Sequence, residues 1–245
     1  MLCLKIKPKW FEKPSFVETS DDKPLRVVRN MKKVFRFLFV ALGLFFCALM
    51  GMIIYPYLSF RYDVDFLLTK QTVLHILSWR VAFFTHITTS LFVLLIGIFQ
   101  FVKPILIHQP RLHRLLGKIY IALTIFISAP SGLIMAFYAN GGVWAKASFV
   151  IVSTLWWHFT FLAYRKIRKG DVNAHLDNMY RSYALTLSAI TLRLYVFFLP
   201  GFLNLHGKEM YTLVSWLSWV PNLIFAEILV RYSKSYKELL TGRSK

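Results

Sequence analysis

Six apolar runs divide the chain, each long enough to cross a bilayer. They fall at Val34–Tyr57, Val81–Val102, Leu115–Tyr138, Val143–Tyr164, Tyr183–Leu199 and Met210–Val230. A helix needs about 20 apolar residues to span the hydrocarbon layer. Within that layer every backbone polar group must be satisfied by protein, which leaves helices or closed barrels. The runs show no alternation of period two, so they predict an all-α, polytopic membrane helix bundle with six transmembrane helices. Composition agrees, because 57% of the 245 residues are hydrophobic and only 17% are charged, unlike a soluble domain. The first run starts only at Val34 and has no small-residue cleavage site, so it reads as a retained span and not a secretion signal.

The basic residues give the direction. Of 30 Lys and Arg side chains, 24 lie on one side: in the N-terminal segment, from Lys103 to Lys118, between Arg165 and Arg181, and after Val230. An excess of Lys and Arg marks the cytoplasmic side. The expected organisation is a basic cytoplasmic tail at 1–33, a transmembrane domain at 34–232 and a second basic cytoplasmic tail at 233–245. The net charge of +19 sits mainly in these loops and tails. It implies contact with anionic phospholipid and excludes nucleic acid as the partner. Cys3 and Cys47 form neither a disulfide framework nor a CxxC motif. No internal repeat marks a transporter with inverted halves.

The turn between the second and third runs, IHQPRLHRLLGKIY, concentrates polar groups just before the chain turns apolar. It carries His113 and Arg114, while Gly117 permits close helix approach. A second turn, RKIRKGDVNAHLDNMYRSYAL, carries His175 and Arg181. Both turns lead into an outgoing helix. His113 and His175 are therefore expected to approach one another at the inner face, as a bis-imidazole haem site or part of a metal site. Asp171 and Asp177 would supply oxygen ligands to a metal, and an adjacent arginine would hold a propionate, phosphate or lipid headgroup. The plainer reading is that these cations hold topology and snorkel to phosphates.

Polar groups also lie inside the runs. By helical rise, His86 is about 9 Å below the outer edge and Arg193 about 10 Å. The pair is expected to line one polar cavity, reached past a kink at Pro130 in the SAPSG segment. Glu227 lies nearer the inner side, and His158 is about 21 Å deep, too far from His86 to share a ligand with it.

HRLLGKIY, SAPSGLIMAFYANGG, LWW and GDVNAHLDNMYRSYALTLSAITLRLY resemble the bacterial inner-membrane family catalogued as domain of unknown function 2306. The resemblance runs from about Phe84 to Tyr195. It rests on an HR-xx-G-K/R-x-Y turn and an H-xxx-M-x-RSYAL segment ending in T-x-R. It implies a multi-pass protein of the bacterial inner membrane and marks His86, His113, Arg114, Gly117, Tyr120, His175, Arg181 and Arg193. It brings no activity with it. A looser similarity to four-helix b-type cytochromes implies haem b between His113 and His175.

Three functions follow as expectations. The constellation of His86, His113, Arg114, Tyr120, His175, Arg181 and Arg193 binds a haem, a quinone or a lipid. Alternatively the chain is a structural or accessory subunit with membrane-protein partners, or a transporter of small molecules or lipids. There is no nucleophile elbow, P-loop or HExxH, so ordinary hydrolase and ATPase chemistry is excluded. An enzymatic role would be that of a membrane-bound redox protein.

Overall fold

The computed structural model describes residues 22–241. The expectations for residues 1–21 and 242–245, Cys3 among them, lie outside the described residues. Among the described residues every regular element is helical. Six helices are long and apolar enough to cross a membrane: Phe37–Ser59, Leu77–Gln100, Pro110–Ala136, Val143–Arg168, Val172–Gly201 and Gly207–Tyr232. The chain forms two compact units that divide after Phe39. Of the first, residues 22–39 are described, and they are helical throughout. The second unit, residues 40–245, holds every residue of the packing and of the candidate site described below.

The spans differ from the apolar runs at three places. The first helix reaches back to Asp22, with Pro24 in its opening turn, where a missing N–H costs nothing. The last helix continues to Thr241, past the end of its apolar run. The largest difference is at the fifth span, which starts at Val172 and not at Tyr183. The Asp171 carboxylate accepts the Ala174 N–H at 3.0 Å and caps this helix. Asp177, Asn178 and Ser182 are then buried against neighbouring helices. Hydropathy alone reads such residues as a loop, but polar groups satisfied inside a bundle do not interrupt a span. His175 and Arg181 therefore lie within a span helix, as does His113, whose helix starts at Pro110.

Packing on the basic end of the bundle centres on Val93, Leu94, Ile98, Tyr120, Ala163 and Tyr183. Gly97 makes this possible: a Cβ there would lie 2.1 Å from the Tyr183 ring. A second cluster, Tyr57, Leu67, Leu74, Trp79 and Phe83, fastens the connection between the first two spans. Lys70, only 3% exposed, clips this connection to the next loop on the same end. Its Nζ donates to the Tyr138 carbonyl and, at 2.8 Å, to Asn140 Oδ1. Burial and the nearby Lys146 charge push the Lys70 ammonium down to about 8.

Candidate functional site

The third span is where local sequence builds a site. Pro130 has no N–H to give the Phe126 carbonyl four residues earlier, and its ring crowds that carbonyl. The helix answers with a π-turn at Thr124–Ser128, where the Ala129 N–H reaches back to the Thr124 carbonyl. The kink expected at Pro130 therefore takes the form of a π-turn, a feature frequent at functional sites. The Ser128 carbonyl accepts a hydrogen bond from His86 Nδ1 at 2.8 Å and another from Ser131 Oγ at 3.0 Å. Ser128 Oγ donates to Thr89 Oγ1 at 2.8 Å and ties the second span to the third. Gly132 completes the cradle, since a Cβ there would lie 2.9 Å from His86 Cε1.

This arrangement decides the imidazole's tautomer. A carbonyl can only accept, so Nδ1 carries the proton and Nε2 keeps its lone pair. Ser90 Oγ lies 3.5 Å from that Nε2. Beside it is a cavity of about 70 Å³ walled by His86, Ser90, Ser153, Trp156, Thr186 and Ser188, among others. The sequence reading singled out His86 but none of the hydroxyls opposite it. Arg193, expected in the same cavity, is not among its walls. Its charge still acts on His86, Tyr57 and Tyr211. No described residue hydrogen-bonds its guanidinium.

Tyr120 lies deeper toward the basic end and is fully buried. Its hydroxyl meets Ser182 Oγ and Thr186 Oγ1, each at 2.9 Å. Ser182 Oγ also meets Thr160 Oγ1 at 2.7 Å. Trp156 Nε1 is buried near the Tyr120 hydroxyl without completing a hydrogen bond to it. The signal for this network was present in the sequence: positions 175, 178, 182, 186 and 193 recur at helical spacing on one face of the fifth span.

On the basic end, His175 Nδ1 donates to the Ala163 carbonyl at 2.9 Å, which leaves its Nε2 as an acceptor. His113 and His175 interact electrostatically, and His113 Nδ1 is buried with no hydrogen-bond partner among the described residues. Gln100 Nε2 donates to the His113 carbonyl at 3.3 Å. Arg114 is exposed. Arg181 forms a two-pronged pair with Glu227, at 2.5 and 3.0 Å, and lies over the Phe159 ring. Glu227, which helical rise places nearer the inner side, is thus the carboxylate of Arg181. No three His, Cys, Asp or Glu side chains among the described residues form a group able to hold a metal ion. Asp171 is engaged as a helix cap and lies 3.8 Å from Lys166. His158 points out of the bundle, edge-on to Phe159.

The family described as predicted membrane proteins, DUF2306, matches residues 83–230, from the second span to the sixth. The chain belongs to this DUF2306 family. The match includes every member of the His86 cavity and of the hydroxyl network, so both are built within the DUF2306 region. It extends beyond Tyr195, where the sequence motifs stop, and takes in Glu227. No curated protein and no solved structure matches the chain.

Proposed function

We propose that this DUF2306 protein resides in the bacterial inner membrane and binds a lipophilic ligand, a quinone or a lipid, by its polar head at the His86 cavity. One observation carries the reading. The His86 Nδ1–H is committed to the Ser128 carbonyl, which leaves Nε2 as the acceptor of a ring that walls the cavity together with Ser90, Ser153, Thr186 and Ser188. A group of hydroxyls with one fixed imidazole suits a carbonyl or hydroxyl oxygen, and the uncompensated Arg193 charge favours a head of negative character. The apolar remainder of such a ligand would lie in the bilayer.

The test is the organic content of the purified protein. Extraction and mass spectrometry should recover a quinone or lipid enriched over a control membrane protein, and His86→Ala should lose it. Equal amounts from both proteins would refute the reading.

A second reading, haem b on the basic end, has one supporting observation. His175 is held as haem-ligating imidazoles are, with Nδ1–H on a carbonyl and Nε2 open. His113 fits less well, because its buried Nδ1 has no acceptor. A visible spectrum with a Soret band that sharpens on reduction would favour this reading. A colourless preparation from a haem-replete host would remove it.

A further inference from the structure

We propose that a ladder of buried hydroxyls on the third, fourth and fifth spans carries protons between the cytoplasmic face and the His86 cavity. The inference rests on the cavity being the binding site, and it adds a proton supply to that site.

The rungs are continuous. Thr160 Oγ1 meets Ser182 Oγ at 2.7 Å, Ser182 Oγ meets the Tyr120 hydroxyl at 2.9 Å, and the Tyr120 hydroxyl meets Thr186 Oγ1 at 2.9 Å. Thr186 is itself a wall of the cavity that holds His86. The cavity's 70 Å³ exceeds the ~10–15 Å³ that a water needs. Water there would bridge Thr186 Oγ1 to the His86 Nε2 lone pair. Toward the basic end, buried Asn178 lies one turn before Ser182 on the same helix face. His175 lies one turn further, its Nδ1 on the Ala163 carbonyl and its Nε2 without a hydrogen-bond partner among the described residues.

Interhelical packing alone would account for isolated hydroxyl pairs. It does not account for a series that ends at a cavity with a fixed imidazole acceptor. Each hydroxyl is both donor and acceptor. A proton arriving at Ser182 adds to its lone pair as Ser182 releases its own to Tyr120. Tyr120 passes one to Thr186, Thr186 to a cavity water, and that water to His86 Nε2, which becomes imidazolium. Each oxygen ends with its predecessor's proton, and no electrons move. At rest, Thr160 donates to the Trp156 carbonyl at 2.7 Å and Thr186 to the Ser182 carbonyl at 3.1 Å. The hydroxyls must turn away from these carbonyls to conduct, and turning back resets the ladder.

The test is kinetic. The His86 ring lies 6.5 Å from that of Trp156, and an imidazolium quenches a neighbouring indole. The full chain in lipid nanodiscs is jumped from high to low pH in a stopped-flow fluorimeter. The His86 phase is the part of the signal that Trp156→Phe and His86→Gln both remove. Tyr120→Phe keeps the ring and removes the hub hydroxyl. It should slow this phase at least about a hundredfold, the lower end of the range for a lost proton-transfer group, and leave its amplitude unchanged. Ser182→Ala, the smaller change, should act in the same direction and serves if Tyr120→Phe does not fold. An unchanged rate in a folded variant, or no His86-dependent phase in the parent protein, overturns the proposal. Neither result depends on what co-purifies with the protein, so failure of the ladder and failure of the ligand reading are separately visible.

Discussion

Gly97→Ala tests the packing that holds the second and fifth spans in register. A Cβ at this position would sit 2.1 Å from Tyr183 Cε2 and 2.4 Å from Cδ2. Carbon atoms prefer about 3.5–4 Å, so the added methyl is short of room by about 1.5 Å. The ring cannot easily turn away. It is 4% exposed, packed beside Phe101, with its hydroxyl on the Leu94 carbonyl at 3.3 Å. Overpacking of this kind costs about 1–3 kcal/mol, occasionally more. A clash this deep belongs at the upper end. Alanine's better helix propensity returns about 1 kcal/mol, leaving a net loss of about 2 kcal/mol. For a chain of this size that is a fall in Tm of about 4–8 °C. Thermal unfolding in detergent measures it, and a cycle with Tyr183→Leu assigns the cause. Without the ring only the propensity gain remains, so Gly97→Ala should stabilise by about 1 kcal/mol, which is a coupling of about 3 kcal/mol between touching residues. An equal loss of Tm in both backgrounds would refute the argument.

Three further outcomes are expected. Arg181→Leu should cost about 1.5–3 kcal/mol, because the half-buried Glu227 loses its two charge-assisted hydrogen bonds, and the double variant with Glu227→Leu should recover much of this; unfolding midpoints decide it. Above a pH of about 8, Lys70 loses its proton in the folded protein, whereas an unfolded lysine keeps its proton up to about 10.4. The unfolded state then binds more protons, so stability should rise with pH across that window by at most about 3 kcal/mol. A Tm series from pH 7.5 to 10 should show a smaller rise in Lys70→Met, and equal slopes would count against the buried ammonium. A reporter fused after Arg168 should give a cytoplasmic signal, as the basic residues require, and a periplasmic signal would reverse the orientation.

What the sequence determined by itself is what adds up along the chain. Apolar length specified six spans, and the motifs around His113, Ser128 and His175 pointed to the DUF2306 family. Both are local sums, legible without neighbours. The π-turn was half legible, because Pro130 forbids a regular helix but does not say how the helix gives way. Which polar groups meet was not legible. Helical rise put His86 and Arg193 at one depth, yet only His86 walls the cavity, and Glu227 lies against Arg181. Depth along a span follows from counting residues, whereas partnership depends on how each helix is turned about its axis. Close contacts set that rotation, Gly97 against Tyr183 and Gly132 against His86. Tertiary packing therefore gathered Ser90, Ser153, Thr186 and Ser188 around one imidazole lone pair, although no two of the four lie within one short motif except Thr186 and Ser188.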